Sequence, residues 1–169
     1  SVNTSAATGS MSTSGYMQVH RLLSTGALDM TYEVNLPADV GGVSYTSNGI
    51  GTSNFKIRGI SDVGAVYVQH YAITTSNGVP SGTNTLERYL SSSTGIQPSS
   101  TSMPAVNKDG TYAGNTGQVL LGSDYNATAI QGIGADGKVY VRTAVSASSG
   151  SATTMNVEIK RYNGDGTLD

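Results

Sequence analysis

Residues 28–36, LDMTYEVNL, set Leu28, Met30, Tyr32, Val34 and Leu36 on one side of the chain and Asp29, Thr31, Glu33 and Asn35 on the other. Such a period of two suits an extended strand with one face on a core, because a helix would scatter these residues around its circumference. The pattern recurs near the C-terminal end. Val139, Val141, Thr143 and Val145 alternate with Lys138, Tyr140 and Arg142, and Met155, Val157 and Ile159 with Thr154, Asn156, Glu158 and Lys160. The Ser/Gly/Ala stretch 146–152 between them reads as a hairpin connection. Further strands are expected at 16–23, 43–47, 54–60, 64–75, 118–122 and 128–133, with Gly42, Gly49, Gly51, Asn77-Gly78 and Asp109-Gly110 as punctuation.

Composition makes the alternation decisive. Ser, Thr and Gly supply about 38% of the 169 residues, there is no Trp and only one Phe, and the net charge is −2. Few large apolar residues with a high net charge would mean disorder, but this charge is small and the apolar residues are placed at period two. The expected fold is therefore all-β, an antiparallel β-sandwich or jelly roll of eight to ten strands with at most one short helix. That helix is expected at 85–91, where Asn84 can cap and Leu86, Tyr89 and Leu90 share a face, with a strand ending at Leu90 as the alternative. The chain divides into a flexible arm over 1–15, a single domain over 16–163 and a polar tail over 164–169. It starts at Ser1, as a processed mature protein or an excised domain would. Residues 91–117 read as one long loop, either functional or interfacial, as such loops more often are, or a plain excursion of the chain over the surface.

The segment 64–75, GAVYVQHYAITT, departs from simple alternation. Val66, Val68 and Ala72 point one way and Tyr67, Tyr71 and Ile73 the other, so both faces are apolar. A strand buried on both sides should look like this. The second face meets either another layer of the chain or another subunit, and Tyr67, Tyr71 and Ile73 are the candidate oligomer contacts.

Several functions are disfavoured. A pI near 5.5 lacks the basic footprint that nucleic-acid binding needs. No apolar run approaches the roughly 18 residues of a membrane-spanning helix. With no Cys, thiol catalysis and thiolate metal sites are out. Gly132-Ile-Gly134-Ala-Asp136-Gly137 matches a dinucleotide fingerprint, but KVYVRTAV follows where a phosphate-binding helix would have to begin, so Asp136-Gly137 reads as a hairpin turn. His20 and His70 fall within strands, and nothing in the spacing of three Glu and eight Asp selects a catalytic pair. No enzymatic activity, cofactor or metal is expected.

Tyrosines beside short polar residues offer a different chemistry. Tyr112, the group Asp124, Tyr125 and Asn126, and Tyr45 near Asn48 can each stack an aromatic ring on a sugar while Asp or Asn meets its hydroxyls. The alternative at each is a ring packed over a turn. The tail Asn163-Gly-Asp165-Gly-Thr167-Leu-Asp169 resembles the start of a dockerin or EF-hand-like calcium loop, but has Leu168 where such a loop needs Gly; it is expected to be a solvated tail.

Stretches such as SSSTGIQPSSTSMPAVNKDGTYAGNTGQVLL and AVSASSGSATTMNVEIKRYN give the whole chain a resemblance to bacteriophage tail-fibre and tail-needle knobs and other virion-surface receptor-binding domains. The resemblance is one of style and transfers no site residue. It implies a β-sandwich or jelly-roll knob, a homotrimer, exposed on the virion or outside the cell and recognising a host-surface glycan or protein. The other expectations are a carbohydrate-binding module or adhesin domain of a secreted bacterial protein, and a capsid or shell subunit without a ligand.

Overall fold

The computed structural model describes residues 3–7, 10–14, 16–37, 42–46, 49–76, 79–91, 105–123, 128–149 and 152–169. They form twelve strands: β1 (Asn3–Ala7), β2 (Ser10–Ser14), β3 (Tyr16–Leu22), β4 (Leu28–Pro37), β5 (Gly42–Thr46), β6 (Gly49–Ile60), β7 (Val66–Ser76), β8 (Val79–Tyr89), β9 (Gln118–Gly122), β10 (Thr128–Ile133), β11 (Val139–Ser149) and β12 (Ala152–Tyr162). All pairings are antiparallel. The fold is all-β, as the alternation and composition require.

A five-stranded sheet in the order β5-β6-β7-β8-β9 lies at the centre. On one face Val66, Val68 and Tyr89 pack against Tyr32, Val34 and Leu36 of the β3–β4 hairpin. On the other, Ala65, Tyr67, Leu86 and Val119 pack against Ile130, Val139 and Val141 of the sheet β10-β11-β12. β7 and β8 are thus covered from both sides by their own chain over 65–69 and 84–87, which accounts for the doubly apolar start of the segment 64–75. Tyr67 is buried in that core, so it is corrected from an oligomer contact to a core residue; Tyr71 and Ile73, further along β7, are half-buried.

Four turns of one kind close the layers. In 23–27, 61–65, 134–138 and 163–167 the first residue donates its N–H to the carbonyl of the fifth, and a glycine in fourth place donates to the carbonyl of the first. Those glycines, Gly26, Gly64, Gly137 and Gly166, have φ between +79° and +89°. This is the three-residue hairpin connection, a type I turn followed by a left-handed residue, and glycine takes that conformation without a Cβ penalty. The nucleotide-like glycine motif is therefore a turn between β10 and β11, as its flanking strand pattern implied.

Three expectations change. Residues 85–89 belong to β8, not a helix: burial of Leu86 on one face and of Thr85, Glu87 and Tyr89 on the other overrides the helical spacing. Helix among the described residues is one short turn, α1 (Tyr112–Asn115), with positive φ at Ala113 and Gly114. Within the segment expected as an arm, β1 pairs with β2. Finally, residues 105–109 act as a strap: Asn107 donates its N–H to Asn35 O at 3.0 Å and accepts from Leu90 N at 3.1 Å, joining β4 to the end of β8. The N–H of Asn35 in turn donates to Asn107 Oδ1 at 2.8 Å.

Candidate functional site

The order of strands sorts the connections to two ends of the molecule. The turns 61–65, 134–138 and 163–167 share one end and pack together. Asp62 N donates to Ala135 O at 3.1 Å, and Ala113 N, in α1, to Asp165 O at 2.7 Å. At the opposite end lie the β5–β6, β7–β8 and β11–β12 connections and the exit from β9 towards β10.

The expected ligand residues divide between these ends. Tyr112 lies at the packed end and is fully buried, its ring edge-on to Tyr67 with centroids 6.2 Å apart and Arg88 over it at 5.0 Å. Burial pushes its phenol up. This tyrosine is a core residue and cannot platform a sugar, which is a correction to its expected role. Tyr45 lies in β5 opposite Ile50, next to the β5–β6 connection that carries Asn48. Asn48, Asp124, Tyr125 and Asn126 lie outside the described residues. Their connections nevertheless leave from one end of the central sheet: the second departs from Ser123, whose carbonyl sits against Gly82 beside the Tyr71 hydroxyl, and returns at Thr128. Below it, buried Gln69 donates to Asn84 Oδ1 at 2.9 Å and to Thr128 O at 3.4 Å, and accepts from Arg58 Nε at 2.9 Å.

The buried carboxylates Glu87 and Asp109 are held by structural partners. Glu87 accepts from Tyr89 Oη at 2.6 Å and Lys108 Nζ at 2.8 Å and lies 3.2 Å from His70 Nδ1. Burial alone would raise its carboxyl; the bonds from His70, Lys108 and Tyr89 outweigh that and hold it at about 2. His70 stacks on Phe55, ring centroids 4.0 Å apart. On the other face Asp109 receives the Arg88 guanidinium through Nε at 2.8 Å and the Thr111 hydroxyl at 2.7 Å, while Arg88 Nη1 reaches the carbonyl of Gly164. The tail is accordingly docked through Gly164 and Gly166, while Asp165, Thr167, Leu168 and Asp169 remain exposed to solvent. Its Asp165 Oδ1 is taken by Thr167, from N at 2.9 Å and from Oγ1 at 2.7 Å, and Gly166 is buried against α1. Among the described residues no group of three or more His, Asp or Glu is placed to hold a metal ion, and no helix is long and apolar enough to cross a membrane.

The most unusual surface was not singled out from the sequence. Met155, Val157 and Ile159 of β12, expected to be buried, are 70%, 58% and 68% exposed. Their register against Ser146, Ala144 and Arg142 puts them on the outer face of the β10-β11-β12 sheet, away from Val139 and Val141. β12 is also the end strand of that sheet. The hairpin base at Val139 and Val141 is in the core, whereas Val145 and residues 153–158 are exposed, so the distal hairpin runs past the packed layers. A contiguous apolar row on a sheet edge is the signature of an interaction surface. Its signal in the sequence is the same alternation that suggested a buried face; only the third layer, already filled by β11, shows which side is left over.

Comparison with family models, curated proteins and solved structures gives no match.

Proposed function

We propose that this chain is a non-enzymatic attachment domain of a virion or extracellular surface, a β-rich knob that self-assembles and recognises a host-surface glycan or protein. The observation that carries the reading is the exposed Met155-Val157-Ile159 row on an end strand, a surface that an isolated monomer has no need to keep apolar. Assembly multiplies weak contacts into useful avidity without any bond being made or broken. The polarity of the molecule fits this division of labour. One end is closed by interlocked glycine turns, while the other carries Tyr45 near the end of β5 and the connections bearing Asn48, Asp124, Tyr125 and Asn126, which we assign to recognition. The Ser/Thr/Gly-rich composition and the stylistic likeness to phage knobs favour the same reading.

The test pairs light scattering with glycan-array and host-cell binding for the parent chain and for Tyr45→Ala and Tyr125→Ala. The expected result is an oligomer whose binding falls at least roughly tenfold in the variants, with mass and melting temperature unchanged, as loss of one or two aromatic anchors predicts. A monomer that binds sugar at one site would instead identify a carbohydrate-binding module. An oligomer that binds nothing would identify a shell subunit.

A further inference from the structure

We infer that β12 pairs with β12 of a second copy of this chain, antiparallel about a two-fold axis at Asn156, so that two three-stranded sheets become one six-stranded sheet. The inference rests on the reading of this edge as an assembly surface and adds its partner and register.

The backbone supplies the first argument. Arg161 O accepts from Asp169 N at 2.9 Å, so the polar groups of Arg161 point away from β11. The β11–β12 register runs without a shift from Tyr162 to Ala152. By the period of two, the N–H and C=O of Ile159, Val157, Met155 and Thr153 also point outward. No described strand pairs with that edge. Unpaired ladder groups on an apolar strand are a template for another strand.

The second argument is the length of the edge. At one end the docked tail, through the bridge between Leu168 and Tyr162 and the Asp169 bond, occupies the edge at residues 161 and 162. At the other, the strand begins at Ala152, paired with Ser149 across the hairpin tip. The outward backbone groups between these ends are those of Thr153, Met155, Val157 and Ile159, whose midpoint is Asn156. An antiparallel copy of the same segment fills such an edge completely from both sides, with each copy's tail stopping the other. In this register Met155 faces Val157 of the second copy and Thr153 faces Ile159, all on one face and all with outward backbone groups. On the other face Asn156 meets Asn156, Thr154 meets Glu158 and Ala152 meets Lys160, so no like charges are opposed. Shifting the axis to Glu158 would set two carboxylates against each other, and an axis at Val157 or beyond would drive residue 153 into the partner's tail.

The chain contains no cysteine, which makes the register directly measurable. At a non-hydrogen-bonded antiparallel pair the two Cα atoms lie about 4.5 Å apart, within disulfide reach. Asn156→Cys should cross-link into a covalent dimer under oxidised glutathione at least roughly tenfold faster than Glu158→Cys, whose two copies would be offset by about 13 Å. Val157→Pro removes an outward N–H that the monomer's own ladder does not use, so it should preserve the circular dichroism spectrum while weakening the dimer at least roughly tenfold. A trimer, a dimer that survives Val157→Pro, or equal cross-linking of the two cysteine variants would overturn this pairing but leave assembly standing. A monomer at every concentration would overturn both.

Discussion

At the residue scale, the four recurrent turns show how little sequence is needed to fix a connection. LSTGA, SDVGA, GADGK and NGDGT share little beyond the glycine in fourth place, where φ is positive. What differs is the room around it. A Cβ on Gly26 would meet nothing within 4 Å, whereas one on Gly64 would lie 2.8 Å from Tyr32 Cε2 and one on Gly137 2.7 Å from Tyr67 Oη. Gly26→Ala should therefore cost only the left-handed strain, about 1 kcal/mol. Gly64→Ala and Gly137→Ala should cost about 2–4 kcal/mol, since the core tyrosines must also move. Urea denaturation of the three variants measures the difference. Tyr112 offers a second test. Its hydroxyl is buried with no hydrogen-bond partner among the described residues. Tyr112→Phe should match or exceed the parent by up to about 1 kcal/mol, because a desolvated, unpaired group is removed. Tyr112→Ala should cost about 3–5 kcal/mol. From the sequence a tyrosine amid Gly, Asn and Thr looks like a surface ring; its packing with Tyr67 and Arg88 and the docking of 163–167 against it make it core.

At the element scale, strands were legible wherever one face alone had to be apolar. β11 follows its alternation over Val139–Val141, β4 keeps its apolar side inward only at Tyr32, Val34 and Leu36 while Leu28 and Met30 are exposed, and the two apolar sides of β7 match its burial on both faces over 65–69. For β8 the spacing leaves helix and strand both open, because its decisive partner is distant, and the strand alternative is the one the structure takes. Glu87 sits where a helix-capping glutamate would, yet its carboxylate is bound by His70 on β7, Tyr89 on its own strand and Lys108 on the strap. No local rule reveals that network. It also fixes a pH dependence. Because the folded carboxyl is depressed to about 2 from an ordinary 4.5, its contribution is fully present above that ordinary value and is lost as pH falls towards 2. Glu87→Gln should thus be less stable than the parent by about 3 kcal/mol near pH 6. The gap should narrow below pH 4.5 and nearly close at pH 2. Thermal melts of both proteins across that range read this directly; a constant gap would show that the packing of β8, not the charge, sets its stability. The polar side of β4 teaches the same lesson, since Glu33 and Asn35 are buried and Asn35 is joined to Asn107 of the strap, where alternation alone placed them in water.

At the scale of the whole molecule, three β layers account for a chain with few large apolar residues. A central sheet in which 65–69 of β7 and 84–87 of β8 are buried on both faces puts each core side chain there to use, and small Ser, Thr and Gly residues serve much of the rest. Layering also decides what remains outside. Once Val139 and Val141 fill the third layer, Met155, Val157 and Ile159 can only face outward, where the proposed second copy would cover them. The sequence showed this row but not its side. Assembly through β12 is best tested by amide hydrogen exchange followed residue by residue at high and low protein concentration. The N–H groups of Met155, Val157 and Ile159 should be protected when the protein is concentrated and exchange freely on dilution, while those of Val66 and Val68 stay protected throughout. Exchange at Met155, Val157 and Ile159 that is fast and independent of concentration would contradict the account.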